Sequence, residues 1–331
     1  MALSTKEIAR LAGVSDATVS RVINNHPNVA PDTKARVETV IQQHGYMRNM
    51  VARGLRRQQS DIIGVIIPDV TNEFFARIVL SVQDALLSHG FLAVMCNINE
   101  NAALEEASLK MFKAQSIAGL IYISGHSSGD MAPLRDVPTI YIDRDPVGMA
   151  DTNMALITSD NREGGRLAAR ELMEKGCRKI AIMTDKRKVS SYTDRFEGFC
   201  QALQEKGLPV DPRLILKMEE VTFGEAQKLV AGLISSGAVF DGLFCANDCA
   251  AVGALTELHR CGISVPRQVK VVGFDDTSIA QQCAKPLTTI RQRTDEMGRM
   301  AVQVLLELMR GEKTQRRQFL LPVELVRRTT T

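Results

Sequence analysis

Nine short apolar runs follow one another after residue 60, and their spacing leaves few folds open. DIIGVIIPDV, FLAVMCNI, AGLIYIS, PTIYIDRD and ALITSDN form one series; RKIAIMTD, LILKMEEV, DGLFCAND and QVKVVGFDD form a second. Between them lie amphipathic stretches of helical length, such as FFARIVLSVQDALLSHG and DRFEGFCQALQEKGL. Strands that are apolar throughout, rather than at alternate positions, are buried on both faces, as in a parallel sheet covered by helices on each side. The two series therefore predict an α/β body of two doubly wound parallel-sheet lobes. Ligands of such sheets bind outside the carboxyl ends of the strands.

The first 45 residues read differently. Thr5 is placed to cap a first helix with Ile8, Ala9 and Leu11 on its inner face, and Gly13 breaks that helix. Ser15 is placed to cap a second, and Pro31 fits the first turn of a third in which Val37, Val40 and Ile41 recur at helical spacing before Gly45. The second helix carries Asp16, Ala17, Thr18, Ser20 and Arg21 outward, while Val19, Val22 and Ile23 hold it to the first. That is the layout of an all-α helix-turn-helix module. Such a helix fits the major groove of DNA, where Arg21 can reach guanine O6 and N7 and Asp16 can accept from a cytosine amino group. A generic three-helix cap is the plainer alternative.

Charge placement argues against that alternative. Net charge is +3 overall, yet residues 1–60 hold nine lysines and arginines against four acids, so the rest of the chain is slightly acidic. A basic head on a near-neutral body points to a polyanion partner for the head alone. Residues 46–60, YMRNMVARGLRRQQS, place four arginines in a segment without an apolar stripe and read as a basic linker.

Other classes are disfavoured. The opening MALSTKEIARLAGV is too charged for a secretory signal and no segment has the length of apolar residues a membrane span needs, so a cytoplasmic protein without membrane association is expected. Seven cysteines (96, 177, 200, 245, 249, 261 and 283) form no C-x-x-C pair and are expected to be reduced core residues. G-x-S-x-G, G-x-x-x-x-G-K-[ST] and H-E-x-x-H motifs are absent, and DRDPVG has Met154 where a calcium loop needs glutamate. No enzyme activity, cofactor or metal is expected.

TKEIARLAGVSDATVSRVINN, VAPDTKARVETVIQQHGY, ARGLRR, GVIIPD, VVGFDDTSIA and PLTTIRQ, taken in order, resemble the lactose/purine repressor (LacI/GalR) family of bacterial transcriptional regulators along the whole chain. The resemblance implies base reading by Asp16, Ala17 and Arg21, with Ala17 limited to an apolar contact. It implies phosphate contact or helix positioning by Thr5, Ser15, Thr18, Ser20 and Asn24. In that family the linker becomes a hinge helix on operator DNA; Leu55 matches the residue that wedges into the minor groove, with Arg53 and Arg56 beside it to neutralise phosphate. Arg48 stands where the family commonly has proline and Gly54 where it has serine. Glycine costs a helix interior about 1 kcal/mol, so hinge folding should lean more on DNA and on a partner subunit.

The implied division is residues 1–45 as DNA-binding domain, 46–60 as hinge and 61–331 as the effector-binding and dimerisation core. Its N-lobe would comprise about 61–158 and 291–319, and its C-lobe about 159–290 and 320–331. A sugar needs aromatic faces and planar polar groups that serve several hydroxyls at once. Asn72, Phe74, Phe75, Asp143, Arg144, Arg195, Phe223, Asn247, Asp275 and Gln292 supply them at strand ends and following loops. In order they match the pocket of ribose-binding periplasmic proteins, in which three phenylalanines sandwich the ring and the polar seven hold its oxygens. The expected effector is D-ribose or a close relative, acting as inducer, and a purine is disfavoured. The chain shows no leucine-heptad tail after the core, so a homodimer on a near-palindromic operator is expected.

Overall fold

The computed structural model describes residues 4–23, 26, 28–44, 60–123, 134–145, 153–187, 189–312 and 317–331. The chain divides into two units, Met1–Ser60 and Asp61–Thr331.

In the first unit three helices, α1 (Thr5–Ala12), α2 (Asp16–Ile23) and α3 (Pro31–Gln43), enclose Ile8, Ala9, Ala12, Val19, Val22 and Val37. The expected cap at Thr5 is corrected to Ser4: its hydroxyl accepts from Glu7 N at 3.3 Å, and Glu7 Oε2 accepts in return from Ser4 N at 2.7 Å. Leu11 is also corrected. It is 46% exposed, because at 100° per residue the face shared by Ile8 and Ala9 continues through Ala12 and leaves Leu11 outside. Gly13 closes α1 in the left-handed conformation, φ 64°, which glycine adopts without a Cβ clash.

In the second unit the first apolar series forms β1 (Ile62–Ile67), β2 (Leu92–Asn97), β3 (Gly119–Ile123), β4 (Thr139–Ile142) and β5 (Met154–Ser159). The second forms β6 (Ile180–Asp185), β7 (Ile215–Met218), β8 (Gly242–Cys245) and β9 (Lys270–Asp275), followed by β10 (Thr288–Arg291), β11 (Gln318–Leu321) and β12 (Glu324–Val326). Two six-stranded sheets result, ordered β11-β5-β4-β3-β1-β2 and β12-β10-β9-β8-β6-β7. Every pairing is parallel except β10 with β12. The chain passes from one sheet to the other after β5, after β10 and after β11, which makes each lobe discontinuous in sequence.

Helices cover both faces of each sheet, as continuous apolar strands require. On the first sheet, α4 (Glu73–Ser88) and α11 (Thr294–Met309) pack Ile78, Leu86, Ala301 and Leu305 against Ile63, Val65 and Ile121, while α5 (Ala102–Ala114) puts Leu109 and Phe112 against Ile66 and Leu120. On the second, α6 (Asn161–Glu174) and α7 (Ser190–Glu205) cover Ile182, Phe244, Val272 and Phe274. There, α8 (Phe223–Ser235) and α9 (Asp248–Arg260) cover Met183, Leu243 and Val271; the short α10 (Ser278–Gln282) follows β9. Each fully buried aliphatic side chain contributes about 1.5–3 kcal/mol.

All seven cysteines are free thiols, but the expectation that they are core residues holds only for Cys177 and Cys245, which are buried. Cys249 and Cys261, at the two ends of α9, are exposed, because helix ends project beyond the layer that the helix covers.

Candidate effector site and nucleic-acid interface

The ten residues expected at the small-molecule site all stand at carboxyl ends of parallel strands or in the first two turns of the helices that follow. After β1, Asn72 caps α4 by accepting from Phe74 N at 3.0 Å. Phe74 and Phe75 then meet edge to face at 5.2 Å, both buried in the N-lobe core. Asp143 and Arg144 follow β4 and are buried; Asp143 holds φ 75°, a left-handed conformation uncommon outside glycine. In the other lobe, Asn247 follows β8 and caps α9 through Ala250 N at 2.8 Å, Asp275 ends β9, and Gln292 follows β10. Phe223, first in α8, is 36% exposed and is the least covered of the ten.

Arg195 is the anchor of the C-lobe half. Its Nε donates to Asn161 Oδ1 at 2.8 Å and its Nη1 to the Ala246 carbonyl at 2.6 Å, and its guanidinium lies 3.7 Å from the Phe274 ring centre. Asp275 Oδ1 is 3.9 Å from Nη1 and accepts from Gln292 Nε2 at 2.7 Å, so Arg195, Asp275 and Gln292 form one connected row. Two glycines fix the row's position. A Cβ on Gly165 of α6 would overlap the Arg195 carbonyl, and one on Gly198 of α7 would overlap the carbonyl of Arg162, so the two helices touch backbone to backbone. Only hydrogen fits at either point.

Burial, opposed by the charge of Arg195, pushes the Asp275 carboxyl well above the ordinary carboxylate range; the nearby Asp248 and Asp143 carboxylates push it further. Asp248 beneath it is raised in the same way by burial, although it accepts from Thr277 N, Thr277 Oγ1 and Thr289 Oγ1. The lobes are tied at this level. Ser191 Oγ donates to Asp143 Oδ2 at 3.3 Å, Asp145 N to Ser190 Oγ at 2.9 Å, and Ser278 N to Glu73 Oε2 at 2.9 Å. Gln292 Oε1, in the row, and Arg144 Nε, after β4 on the other lobe, are buried polar atoms without a protein partner among the described residues. An acceptor and a donor held in this way can satisfy hydroxyl groups of a ligand.

Sequence reasoning missed Tyr192. Its ring centre is 5.2 Å from the guanidinium of Arg195; burial, helped by Asp275 and Asp143 and opposed by Arg195 and Arg144, raises its hydroxyl to about 12. The available signal was its position three residues before Arg195, which puts both on one face of α7.

On the first unit, α2 presents a polar face. Ser15 Oγ accepts from Thr18 N at 3.2 Å and lies 2.9 Å from Thr18 Oγ1. Asp16, Ala17 and Arg21 are exposed, while Val19 and Val22 on the opposite side are buried. Thr5, Thr18 and Ser20 are half-buried. Asn24, Arg53, Leu55 and Arg56 lie outside the described residues, as does the linker except Ser60.

A helix-turn-helix unit and a two-lobed parallel-sheet unit on one chain define a DNA-binding regulator. A family model described as bacterial regulatory proteins, lacI family, matches residues 4–49, and one described as a periplasmic binding protein-like domain matches 169–331. The HTH-type transcriptional regulator RegA of Clostridium saccharobutylicum is 32% identical over 336 residues, covering 100% of each chain. A ribose operon repressor of Halalkalibacterium halodurans is 29% identical, covering 98% of this chain and 96% of its own. The lac repressor dimer bound to operator and the anti-inducer ONPF superposes with a TM-score of 0.86 at 26% identity, covering 100% and 99%. The chain belongs to the lacI family and is a DNA-binding transcriptional repressor, not an enzyme. None of its described helices is long and apolar enough to cross a membrane.

Proposed function

We propose that the protein is a homodimeric repressor of a sugar-utilisation operon whose hold on a near-palindromic operator is released by a small neutral sugar, D-ribose or a close stereochemical relative. The observation that carries this reading is the row Arg195–Asp275–Gln292, with Gln292 Oε1 and Arg144 Nε buried and unsatisfied at the carboxyl ends of parallel strands. Planar groups of this kind each serve two hydroxyls of a polyol, which a purine ring does not offer. Likeness to a ribose operon repressor across almost the whole chain supports the same choice.

In this reading Asp16, Ala17 and Arg21 read bases, Thr5, Ser15, Thr18, Ser20 and Asn24 set the helix on the backbone, and Leu55 with Arg53 and Arg56 works in the minor groove. Residues 1–45, 46–60 and 61–331 are the head, hinge and core. The sugar acts by population shift: it binds one arrangement of the lobes better than the operator-bound one, and a coupling of about 1–3 kcal/mol weakens DNA binding roughly 5- to 150-fold. A catabolic sugar favours induction over corepression.

Calorimetry of the full chain with pentoses, hexoses and purines tests the effector. D-ribose or a stereoisomer should bind most tightly, and Gln292→Leu should weaken that binding about tenfold or more by removing both an acceptor and the Asp275 partner. Tight binding of a purine with no response to any sugar would refute the reading.

A further inference from the structure

Glu100 follows β2 on the N-lobe and has no place in the ten-residue pocket, yet its carboxylate is where two arginines meet. Arg144 Nη2 donates to Glu100 Oε1 at 3.0 Å, and Arg187, which follows β6 on the other lobe, pairs with Glu100 Oε2. Arg187 is held in turn by Asp185 through Nη2 at 2.7 Å. Asn99 and Glu100 have φ 47° and 53°, two successive non-glycine residues in the left-handed region. Such a conformation persists only where the surroundings enforce it, and it often marks functional loops.

Resting on the carbohydrate reading above, we infer that Glu100 makes this site select uncharged sugars over sugar acids and sugar phosphates. An anionic group needs a guanidinium free to receive it. Arg144 and Arg187 already share Glu100, and Arg195 is committed to Asn161, Ala246 and Phe274. A carboxylate or phosphate must therefore displace Glu100 or sit beside it against like-charge repulsion. A neutral hydroxyl oxygen can take the buried, unpartnered Nε of Arg144 without repulsion from the Glu100 carboxylate beside it. The same pairing gives Glu100 a second effect, since it ties the N-lobe to the C-lobe when the site is assembled.

Calorimetry of the full-length protein with a panel of neutral monosaccharides that includes D-ribose, and with D-ribonate and D-ribose 5-phosphate, tests the inference. The wild type should prefer the best neutral sugar over both anions by roughly 30-fold or more, and E100Q should cut that preference about tenfold through a gain for the anions. E106Q, which removes an exposed carboxylate of α5, should leave the preference as it was. An anion bound as tightly as the neutral sugar by the wild type, an unchanged ratio in E100Q, or an equal shift in E106Q would overturn the selectivity while leaving sugar binding intact. Failure of every neutral sugar to bind the wild type would remove the carbohydrate reading and this inference together.

Discussion

Gly198→Ala tests how the fold delivers Arg195 to the proposed effector site. The added Cβ would overlap the Arg162 carbonyl oxygen, with the carbonyl carbon at 2.8 Å and the Cα at 3.0 Å, against an ordinary contact of 3.4 Å or more. All three obstacles are backbone, so no side chain can turn away, and α7 must move at least 0.6 Å from α6 to relieve the carbon alone. Arg195 lies one turn earlier on the moving helix, and its bonds to Ala246 O at 2.6 Å and to Asn161 Oδ1 at 2.8 Å stretch with it. Overpacking of this kind costs about 1–3 kcal/mol of stability. A guanidinium displaced in this way no longer meets a sugar hydroxyl at hydrogen-bond distance, and losing about 2 kcal/mol of charge-assisted contact weakens sugar binding by roughly 30-fold. The control is Gly232→Ala in α8, where nothing lies within 4 Å of the new methyl group; it should stabilise by about 0.5–1 kcal/mol. Urea unfolding and calorimetry with the best-binding sugar read both quantities. A Gly198→Ala protein as stable as the wild type, with unaltered sugar affinity, would refute the idea that backbone contact between α6 and α7 sets the site.

Further predictions concern protonation and the head. Asp275 and Asp248 have carboxyls raised above their unfolded values, so the folded state binds more protons there. Stability should then fall as pH rises from the unfolded carboxylate range toward the raised folded values, by up to about 1.4 kcal/mol per pH unit for each group. Thermal melts across that window should show the slope, and Asp275→Asn should flatten it; a wild type whose stability rises through the window contradicts the assignment. Ser4→Ala removes one half of the capping box and should cost the first unit about 1 kcal/mol, read as a lower melting transition of the full chain followed by a probe on α1. Arg21→Ala, at the exposed face of α2, should weaken operator binding by about 1–3 kcal/mol and relax preference at one base pair in each half-site, measured by selection from a randomised operator pool.

Seven of the nine runs that became β1 to β9 were readable because strands buried on both faces must be apolar throughout; the edge strands β2 and β7 were readable because they stay largely apolar although partly exposed. The other three were not conspicuous, for two reasons. β11 and β12 are short and lie at sheet edges, where the polar Gln318 and Glu324 face solvent and shorten the apolar run. β10 is internal but buries Thr288 and Thr289, whose hydroxyls are satisfied by Thr331 and Arg328 N and by Asp248, so a scan for apolar residues passes over it. Within the first unit, Leu11 and Thr5 were misplaced by one helical position, an error that side-chain chemistry alone does not prevent, since Ala12 and Ser4 are equally suited to those roles. The ten candidate effector residues were legible as a set from the resemblance, and the parallel-strand topology explains why they stand at carboxyl ends of strands or in the turns that follow. Glu100 and Arg187 could not, because their relation to Arg144 arises from separate crossovers and leaves no short-range trace; Tyr192 did leave one, its place three residues before Arg195 on α7.

Whether occupancy between the lobes governs the grip of the head on DNA is decided by fluorescence anisotropy of a labelled operator bound to the full-length protein during titration with the tightest-binding sugar. The apparent operator Kd should rise roughly 5- to 150-fold as the sugar saturates. An operator Kd that stays constant through saturation would contradict such control.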